Sequence, residues 1–296
     1  MEGLVFRQQP PQKLPVMIVA FAGWPDAAEA ATGAVRYLVE NLGATQFAEI
    51  DPEEFYDFTV TRPETLVNEE GERVIHWPAN DFYYYAPEEA ARGLLLYIGT
   101  EPNLKWRAFS SLMLSVADRC GVELVVSLGA LLDEVPHTRE PSVTGRATST
   151  ELEQKAEWLG IRSSGYQGPT GIHTAFMDAC VRKGLSLASI WGHTPHYANT
   201  TPNPRVSHAL LTSLQRLVEF DVPLDEMQES ADAYVREVDQ AIAKRPELAD
   251  YVKKLEERFD SAIATKGGIP SPEDMVEELE QYLKSQLPPP DNIDES

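Results

Sequence analysis

Short apolar runs alternate with longer amphipathic stretches as far as residue 220. The short runs predict buried strands, whereas the stretches between them show the helical spacing of apolar residues. Residues 66–67 and 73–77 flank a turn that contains Gly71, which predicts a hairpin. The expected strands lie at 16–21, 47–50, 82–85, 93–98, 122–128 and 185–191, and the expected helices at 27–42, 104–120, 150–158, 172–183 and 205–218. This order is typical of an α/β domain whose central, largely parallel sheet is covered by helices on both faces.

The pattern changes after residue 221, where no strand is predicted. Apolar residues at helical spacing predict amphipathic helices at 224–244, 248–263 and 272–286. Their apolar faces need a docking surface, either the α/β domain or a partner chain. The predicted organisation is a core domain at 1–220, a helical extension at 221–287 and a disordered tail at 288–296.

Polar or Gly/Pro-rich turns follow four of the expected strands. In an open α/β sheet the loops that leave the carboxyl ends of parallel strands gather at one edge, so these turns are expected to converge. The turns lie at 23–26, 99–102, 136–139 and 193–197. A crevice formed by them is the predicted functional site.

The charge balance limits the classes of partner. The chain has 25 basic and 47 acidic residues and a net charge of −22, which repels phosphate backbones and anionic lipids. Nucleic acid and membranes are therefore not expected as partners.

The first residues lack the layout of a signal peptide, and no apolar run approaches the ~20 residues of a membrane span, so a cytoplasmic location is expected. The acidic excess is concentrated in 221–296, which is either an interaction surface or a solvated helix face.

The two cysteines predict structural thiols. Cys120 and Cys180 each lie near the end of an expected helix, away from the polar turns. A pair so placed is typical of small buried side chains rather than of a disulfide or a metal site. No nucleophile elbow or cofactor fingerprint is present, so no cofactor is expected.

The ordered set of motifs resembles the bacterial branch of the proteasome assembly chaperone 2 family, over about residues 16–260. The motifs are Gly23-Trp24-Pro25-Asp26, Asp51-Pro52-Glu53-Glu54-Phe55-Tyr56-Asp57-Phe58 with Arg62-Pro63, Trp77-Pro78, Gly99-Thr100-Glu101-Pro102 with Lys105-Trp106-Arg107, Pro136-His137-Thr138-Arg139, Tyr166-Gln167-Gly168-Pro169-Thr170-Gly171 and Pro195-His196-Tyr197.

The resemblance implies a phosphorylase/hydrolase-like fold similar to that of purine nucleoside phosphorylases. This fold is a three-layer α/β/α core with a mixed sheet, and it tends to form rings such as trimers. The resemblance also implies a role as a protein-interaction or assembly module. Eukaryotic members are thought to dock through a C-terminal hydrophobic-Tyr-any tail, whereas this chain ends in Ile293-Asp294-Glu295-Ser296. We therefore expect another surface, or another role, in this chain.

The first two turns contain candidate ligand-binding residues. Asp26 is expected either to cap the first helix or to contact a ligand, with capping alone sufficient to explain it. Gly23 suits a tight turn or the close approach of a ligand, and Trp24 suits a core position or a stacking wall. Glu101 has two interpretations: it holds a substrate hydroxyl, as in phosphorylase-like folds, or it pairs with Lys105 or Arg107.

The best single candidate is His137-Thr138-Arg139, in a long polar loop expected at 131–148. Histidine changes charge near neutral pH, and arginine offers a planar fork to carboxylate or phosphate. Together they suit anion binding or acid/base chemistry, and the alternative is a structural or inter-subunit ion pair. Glu101, His137 and Arg139 are the candidate catalytic residues.

Two further groups complete the candidates. Gly168, Thr170 and Gly171 precede a helix, where backbone N–H groups can bind an anion or where Thr170 can cap the helix. His196 and Tyr197 follow the last core strand, and His193 and His196 with His137 could form a three-histidine metal site. No carboxylate motif accompanies these histidines, so no metal is expected.

Two functions remain open at this point. The first is an oligomeric protein-interaction module, favoured by the resemblance and by the lack of a recognisable nucleophile or cofactor motif. The second is an enzyme or small-molecule binder, nucleoside- or anion-directed, with its ligand between Glu101, His137, Arg139 and the 168–171 turn.

Overall fold

The structure is a computed structural model that describes residues 3–68, 70–87, 93–161, 163 and 167–267. Within these residues the strands are β1 (Leu4–Phe6), β2 (Val16–Ala22), β3 (Thr45–Ile50), β4 (Glu64–Val67), β5 (Arg73–His76), β6 (Asn80–Tyr85), β7 (Leu94–Thr100), β8 (Leu124–Asp133), β9 (Val143–Ala147) and β10 (Ser186–Pro195). The α-helices are α1 (Ala30–Asn41), α2 (Trp106–Cys120), α3 (Thr150–Trp158), α4 (Ile172–Lys183), α5 (Pro204–Val218), α6 (Asp225–Ala243) and α7 (Pro246–Gly267).

Eight strands form one mixed sheet in the order β1-β3-β6-β7-β2-β8-β10-β9. The four central strands, β7, β2, β8 and β10, are parallel to one another. The flanking strands pair in antiparallel fashion. The carboxyl ends of the four central strands therefore meet at one edge of the sheet, which we call the carboxyl edge.

Each face of the sheet has its own hydrophobic core. Met17, Val19 and Phe21 of β2 pack on the side of α2 and α4, whereas Val16 and Ile18 face α1 and α5. Because successive strand residues point to opposite faces, a strand buried on both sides is apolar throughout, as β2 is. The predicted three-layer α/β/α fold with a mixed, largely parallel sheet is thus confirmed.

Several boundaries differ from those expected. The leader before Pro15 contains β1, a strand of three residues. The expected loop at 131–148 is shorter, because β8 continues to Asp133 and β9 occupies Val143–Ala147. Since Ala20 of β2 is opposite Leu128 and β2 ends at Ala22, β8 and β10 project beyond the end of β2 by about 10 Å at the carboxyl edge. The helix expected at 272–286 and the tail at 288–296 lie outside the described residues.

The expected hairpin forms a separate ribbon. Strands β4 and β5 pair with each other and with no strand of the large sheet.

The two thiols are as predicted, since Cys120 and Cys180 are both buried and free. Burial raises the pKa of Cys120 to about 11 and that of Cys180 to about 12, so both remain protonated at neutral pH.

Candidate functional site

The structure divides the candidate residues into two clusters at the carboxyl edge. The first, the turn cluster, comprises Gly23, Trp24, Glu101 and Gly171, which lie after β2, after β7 and before α4. The Glu101 N–H donates to the Ala22 carbonyl over 2.8 Å, so the ends of β7 and β2 are joined.

Glu101 occupies the N-terminus of α4. Its Oε1 accepts a hydrogen bond of 2.9 Å from the N–H of Ile172, the first residue of that helix. A Cβ at Gly171 would lie 2.5 Å from the same oxygen, so only glycine fits here without a shift. A negative charge at a helix N-terminus is stabilising, and this carboxylate already occupies the place where an anion could bind.

The expected partners of Glu101 are elsewhere. Lys105 pairs with Glu54, and the side chain of Arg107 is exposed without an ion pair among the described residues. Thr170 does not cap α4, because Gly171 is the residue at the N-cap position. Gly168 and Thr170 are both exposed. The salt-bridge interpretation of Glu101 is therefore wrong, and so is the capping role of Thr170.

Asp26 is buried and binds the start of α1. Its carboxylate accepts from the N–H of Ala31 at 2.7 Å, from the N–H of Thr32 at 3.3 Å, and from the hydroxyl of Thr32. Burial raises the pKa of this carboxyl, and the three hydrogen bonds act against that rise. A turn of 3-10 helix at Ala27–Glu29 separates Asp26 from α1, so the carboxylate caps the helix from further back than expected.

The second group, the clasp cluster, comprises His137, Thr138, Arg139, His196 and Tyr197. All five contact one another or the C-terminal helices. His137 is 3% exposed, and its ring lies between the Tyr197 hydroxyl, 2.8 Å from Nδ1, and Asp239 of α6, 3.1 Å from Nε2. The Tyr197 hydroxyl also accepts the His137 N–H at 2.8 Å, which fixes the loop as well as the ring.

Arg139 binds α7 through its guanidinium fork. Its Nε and Nη2 donate to the two oxygens of Asp260 at 2.9 and 2.8 Å, and its Nη1 donates to Glu256 at 3.3 Å. Thr138 donates its hydroxyl to the same Glu256 oxygen. Two parallel bonds to one carboxylate are the strongest geometry available to arginine. The ion pair expected as the alternative for Arg139 is therefore present, and it lies within the chain.

Aromatic rings complete the clasp cluster. The rings of His196, Tyr197 and Tyr251 of α7 meet edge to face with centroids 5.6 to 6.2 Å apart. His196 also contacts the Asp133 carbonyl through Nδ1 at 3.1 Å. Because each ring has an apolar body and a polar end, the rings suit a contact surface that is partly exposed to water.

Sequence analysis missed the acidic partners of the clasp cluster. Asp239, Glu256 and Asp260 belong to the acidic excess that was expected to form either an interaction surface or a solvated helix face, on helices expected to dock on the α/β domain or on a partner chain. The sequence contains one signal for these contacts, which is charge. The acidic side chains of the extension can pair with His137 and Arg139. Spacing along the chain could not match them, because the pairs are more than a hundred residues apart.

No hydrogen bond or ion pair joins the two clusters in the part of the chain that the structure describes. Direct polar contacts among the described residues thus do not join Glu101 to His137 or Arg139, and a ligand site between them and the 168–171 turn stays a prediction. The α6 and α7 side chains hold the β8 and β10 half of the carboxyl edge, and the turn cluster belongs to the β2 and β7 half.

His193 ties three strands together. Its Nδ1 lies 2.7 Å from Asp133 Oδ2 of β8, and its Nε2 lies 2.9 Å from the Thr144 hydroxyl of β9. The hydrogen bond from His193 is the main cause of the lowered pKa of Asp133. Among the described residues, no three His, Cys, Asp or Glu side chains are grouped as ligands for a metal ion.

A buried polar network that sequence analysis did not find lies in the sheet-to-α4 layer. His173 of α4 contacts the Ser127 hydroxyl at 3.1 Å and the Ser189 hydroxyl at 2.9 Å. Trp191 donates its Nε1–H to Ser189 at 3.0 Å. Burial lowers the pKa of His173 to about 3, so the imidazole is neutral at physiological pH. Nothing in the sequence pattern distinguishes this histidine from an exposed one.

Comparison with known proteins identifies the relatives. A model of the PAC2 family matches residues 20–242. A PAC2 family protein from Streptomyces avermitilis is 40% identical, with a TM-score of 0.72, over 80% of this chain and 99% of that chain. A proteasome-assembly chaperone homologue from Mycobacterium tuberculosis is 39% identical, with a TM-score of 0.72, over the same shares of 80% and 99%.

More distant structures share the fold. An archaeal proteasome activator from Pyrococcus furiosus has a TM-score of 0.65 at 18% identity, over 81% of this chain and 97% of that chain. The search of curated proteins finds no match. Across the described residues, no helix has both the length and the apolar content needed to cross a bilayer.

Proposed function

Because this chain belongs to the PAC2 family, we propose that it works as an oligomeric protein-interaction or assembly module. One observation carries this proposal. The three candidate catalytic residues, Glu101, His137 and Arg139, are engaged in contacts within the chain. These bonds give each side chain a structural role at the edge of the sheet, as a module that works through protein contacts requires.

The names of the relatives support an assembly role. The homologue from M. tuberculosis is described as a proteasome-assembly chaperone homologue, and we extend that class of activity to this chain. The expected state is a homo-oligomer, with a trimer favoured because phosphorylase-like folds tend to form rings. We place the protein in the cytoplasm, with a protein partner and without nucleic acid. No observation favours the small-molecule alternative.

The acidic outer face of α6 is the surface to test. Glu226, Glu229 and Glu237 are exposed and form no ion pair among the described residues, so their replacement leaves the internal contacts intact. Full-length tagged protein is expected to recover a stoichiometric partner from cytosol at physiological salt. The triple change to lysine should abolish that recovery if the extension supplies the surface.

A control variant carries the same change of charge elsewhere. Glu40, Glu123 and Glu157 are also exposed and free of ion pairs within the described residues. Their triple change to lysine should leave partner recovery unchanged. Equal recovery by both triple variants would show that the acidic extension is not the binding surface. Failure of the wild-type protein to retain any stoichiometric partner would contradict the proposed function itself.

A further inference from the structure

The ribbon of β4 and β5 exposes several large apolar side chains. Val67 is 65% exposed and Ile75 is 57% exposed, and they lie on the same face because Val67 is opposite Arg73 and Thr65 is opposite Ile75. Leu66, 46% exposed, lies on the other face. A solvated hairpin normally has at least one polar face, so apolar residues on both faces indicate a covered surface.

Among the strands that the structure describes, none pairs with the two outer edges of the ribbon. An isolated two-stranded sheet is at best marginally stable in water, and its free backbone groups are a template for a further strand. The Asn68 N–H donates to the Glu72 carbonyl at 2.9 Å, and the ladder continues from this pair. Since bonded and non-bonded pairs alternate in an antiparallel ladder, Thr65 and Val67 direct their N–H and C=O groups away from β5.

The charges of the ribbon are arranged in a self-complementary way. Arg62 lies at its base, and Glu70 and Glu72 lie at its tip. All three side chains are exposed and make no ion pair within the described residues. Two ribbons that run in opposite directions bring Arg62 of each beside Glu70 of the other, while Glu64 at the base and Arg73 near the tip carry the opposite charges. This matters because the chain as a whole, at −22, repels a second copy.

We propose that the free edge of β4 pairs in antiparallel fashion with β4 of a second copy of this chain, about a two-fold axis at Leu66. In this register Thr65 is opposite Val67 of the second copy, so the outward backbone groups of both residues are satisfied. The two Leu66 side chains meet on one face. Arg62 lies next to Glu70 of the second copy, and symmetry repeats the pair. The result is a four-stranded sheet in the order β5-β4-β4-β5.

This contact joins subunits in pairs and does not depend on a ring or on the protein partner proposed above. A ring of three subunits that also paired its ribbons would become a hexamer. The occupant is a second copy rather than another protein because the ribbon supplies both the donor edge and the complementary charges.

Cysteine cross-linking tests the register. Directly opposite residues of a non-bonded pair have Cα atoms about 4.5 Å apart, which suits a disulfide. Leu66→Cys should therefore give a covalent dimer on mild oxidation, and Cys120 and Cys180 do not interfere because both are buried. Val67→Cys is the register control: Val67 is more exposed, but its counterpart in the second copy lies roughly 8 Å away. Val181→Cys, on α4 and 51% exposed, is the control for random collision.

Charge exchange tests the pairing independently. Arg62→Glu and Glu70→Arg should each weaken self-association by roughly fivefold, measured by analytical ultracentrifugation, because each removes two symmetric ion pairs. The double variant should restore wild-type affinity. Equal cross-linking of Leu66→Cys, Val67→Cys and Val181→Cys, or no dimer from any of them, would overturn the proposal. Failure of the double variant to restore self-association would overturn it as well. Partner recovery by these variants tests the proposed function separately.

Discussion

At the residue scale, His173 gives the clearest pH prediction. Its pKa is about 3 in the folded chain because of burial, against an ordinary value of 6.5. Below pH 6.5 the unfolded chain binds a proton that the folded chain does not, so stability falls as the pH falls from 6.5 toward 3. Between about pH 7 and about pH 5 this residue should remove about 2 kcal/mol of unfolding free energy.

Urea unfolding of His173→Gln at both pH values measures that contribution. Glutamine can still donate and accept toward Ser127 and Ser189, so the variant is expected to fold with a shallower pH dependence. His76→Gln is the matched control, because His76 is exposed and its replacement should leave the slope unchanged. A variant at position 173 with the full wild-type slope would assign the pH dependence to other groups.

Arg139 binds α7 through two acidic side chains of that helix. Arg139→Ala should make the amides of α7 exchange hydrogen several times faster, because the fork to Asp260 and the contact with Glu256 are both lost. Exchange in α4 should stay the same. Arg182→Ala is the control, since Arg182 pairs with Asp178 inside one helix and holds no second element. Faster exchange across the whole chain would mean global destabilisation rather than release of α7.

At the element scale, the start of α4 depends on two residues from different parts of the chain. Glu101→Ala should lower the unfolding free energy by about 1 kcal/mol, the usual loss for a removed helix cap. Gly171→Ala should cost a similar amount, because its Cβ would meet the Glu101 carboxylate at 2.5 Å. The double variant should lose less than the sum of the two, since no carboxylate remains to be displaced and only the Trp24 ring, 3.3 Å from the added Cβ, must shift. Strict additivity of the two losses, measured by chemical denaturation, would contradict this contact.

Elements with strong local signals were predicted accurately. The bounds of α3, Thr150–Trp158, match the expectation because Ser149 caps the helix by accepting from Leu152 N–H. The end of α4 matches because Gly184 adopts a left-handed conformation after Lys183. The strands β1 and β9 were missed for the opposite reason: β1 has three residues, and β9 is a half-exposed edge strand without an apolar alternation. Such strands are defined by their partners, which local patterns do not contain.

The candidate site was predicted only in part for a similar reason. The convergence of Trp24 and Glu101 followed from the general behaviour of parallel strands. The separation of His137 and Arg139 from the turn cluster could not be predicted in this way, because it depends on where α6 and α7 dock. Amphipathic periodicity predicts that those helices need an apolar surface, but it does not identify the surface.

At the scale of the whole molecule, the net charge of −22 predicts the response to salt. Added salt screens the repulsion among acidic side chains, so the Tm should rise by a few degrees between about 10 mM and about 150 mM NaCl. The triple variant Glu40→Lys, Glu123→Lys and Glu157→Lys has a smaller negative charge and should respond less. A Tm that falls with salt would mean that ion pairs such as Arg139 with Asp260 outweigh the general repulsion.

The contacts of the clasp cluster can form only late in the synthesis of the chain. Arg139 and Asp260 are 121 residues apart, so the loop after β8 is made long before the helix that binds it. At ordinary translation rates that interval lasts roughly ten seconds. During this time Arg139 is not yet bound by α7 and is open to carboxylates of other proteins, including those of neighbouring nascent copies of the same chain. The α/β core can form first, and α6 and α7 then bind His137 and Arg139 once they have left the ribosome.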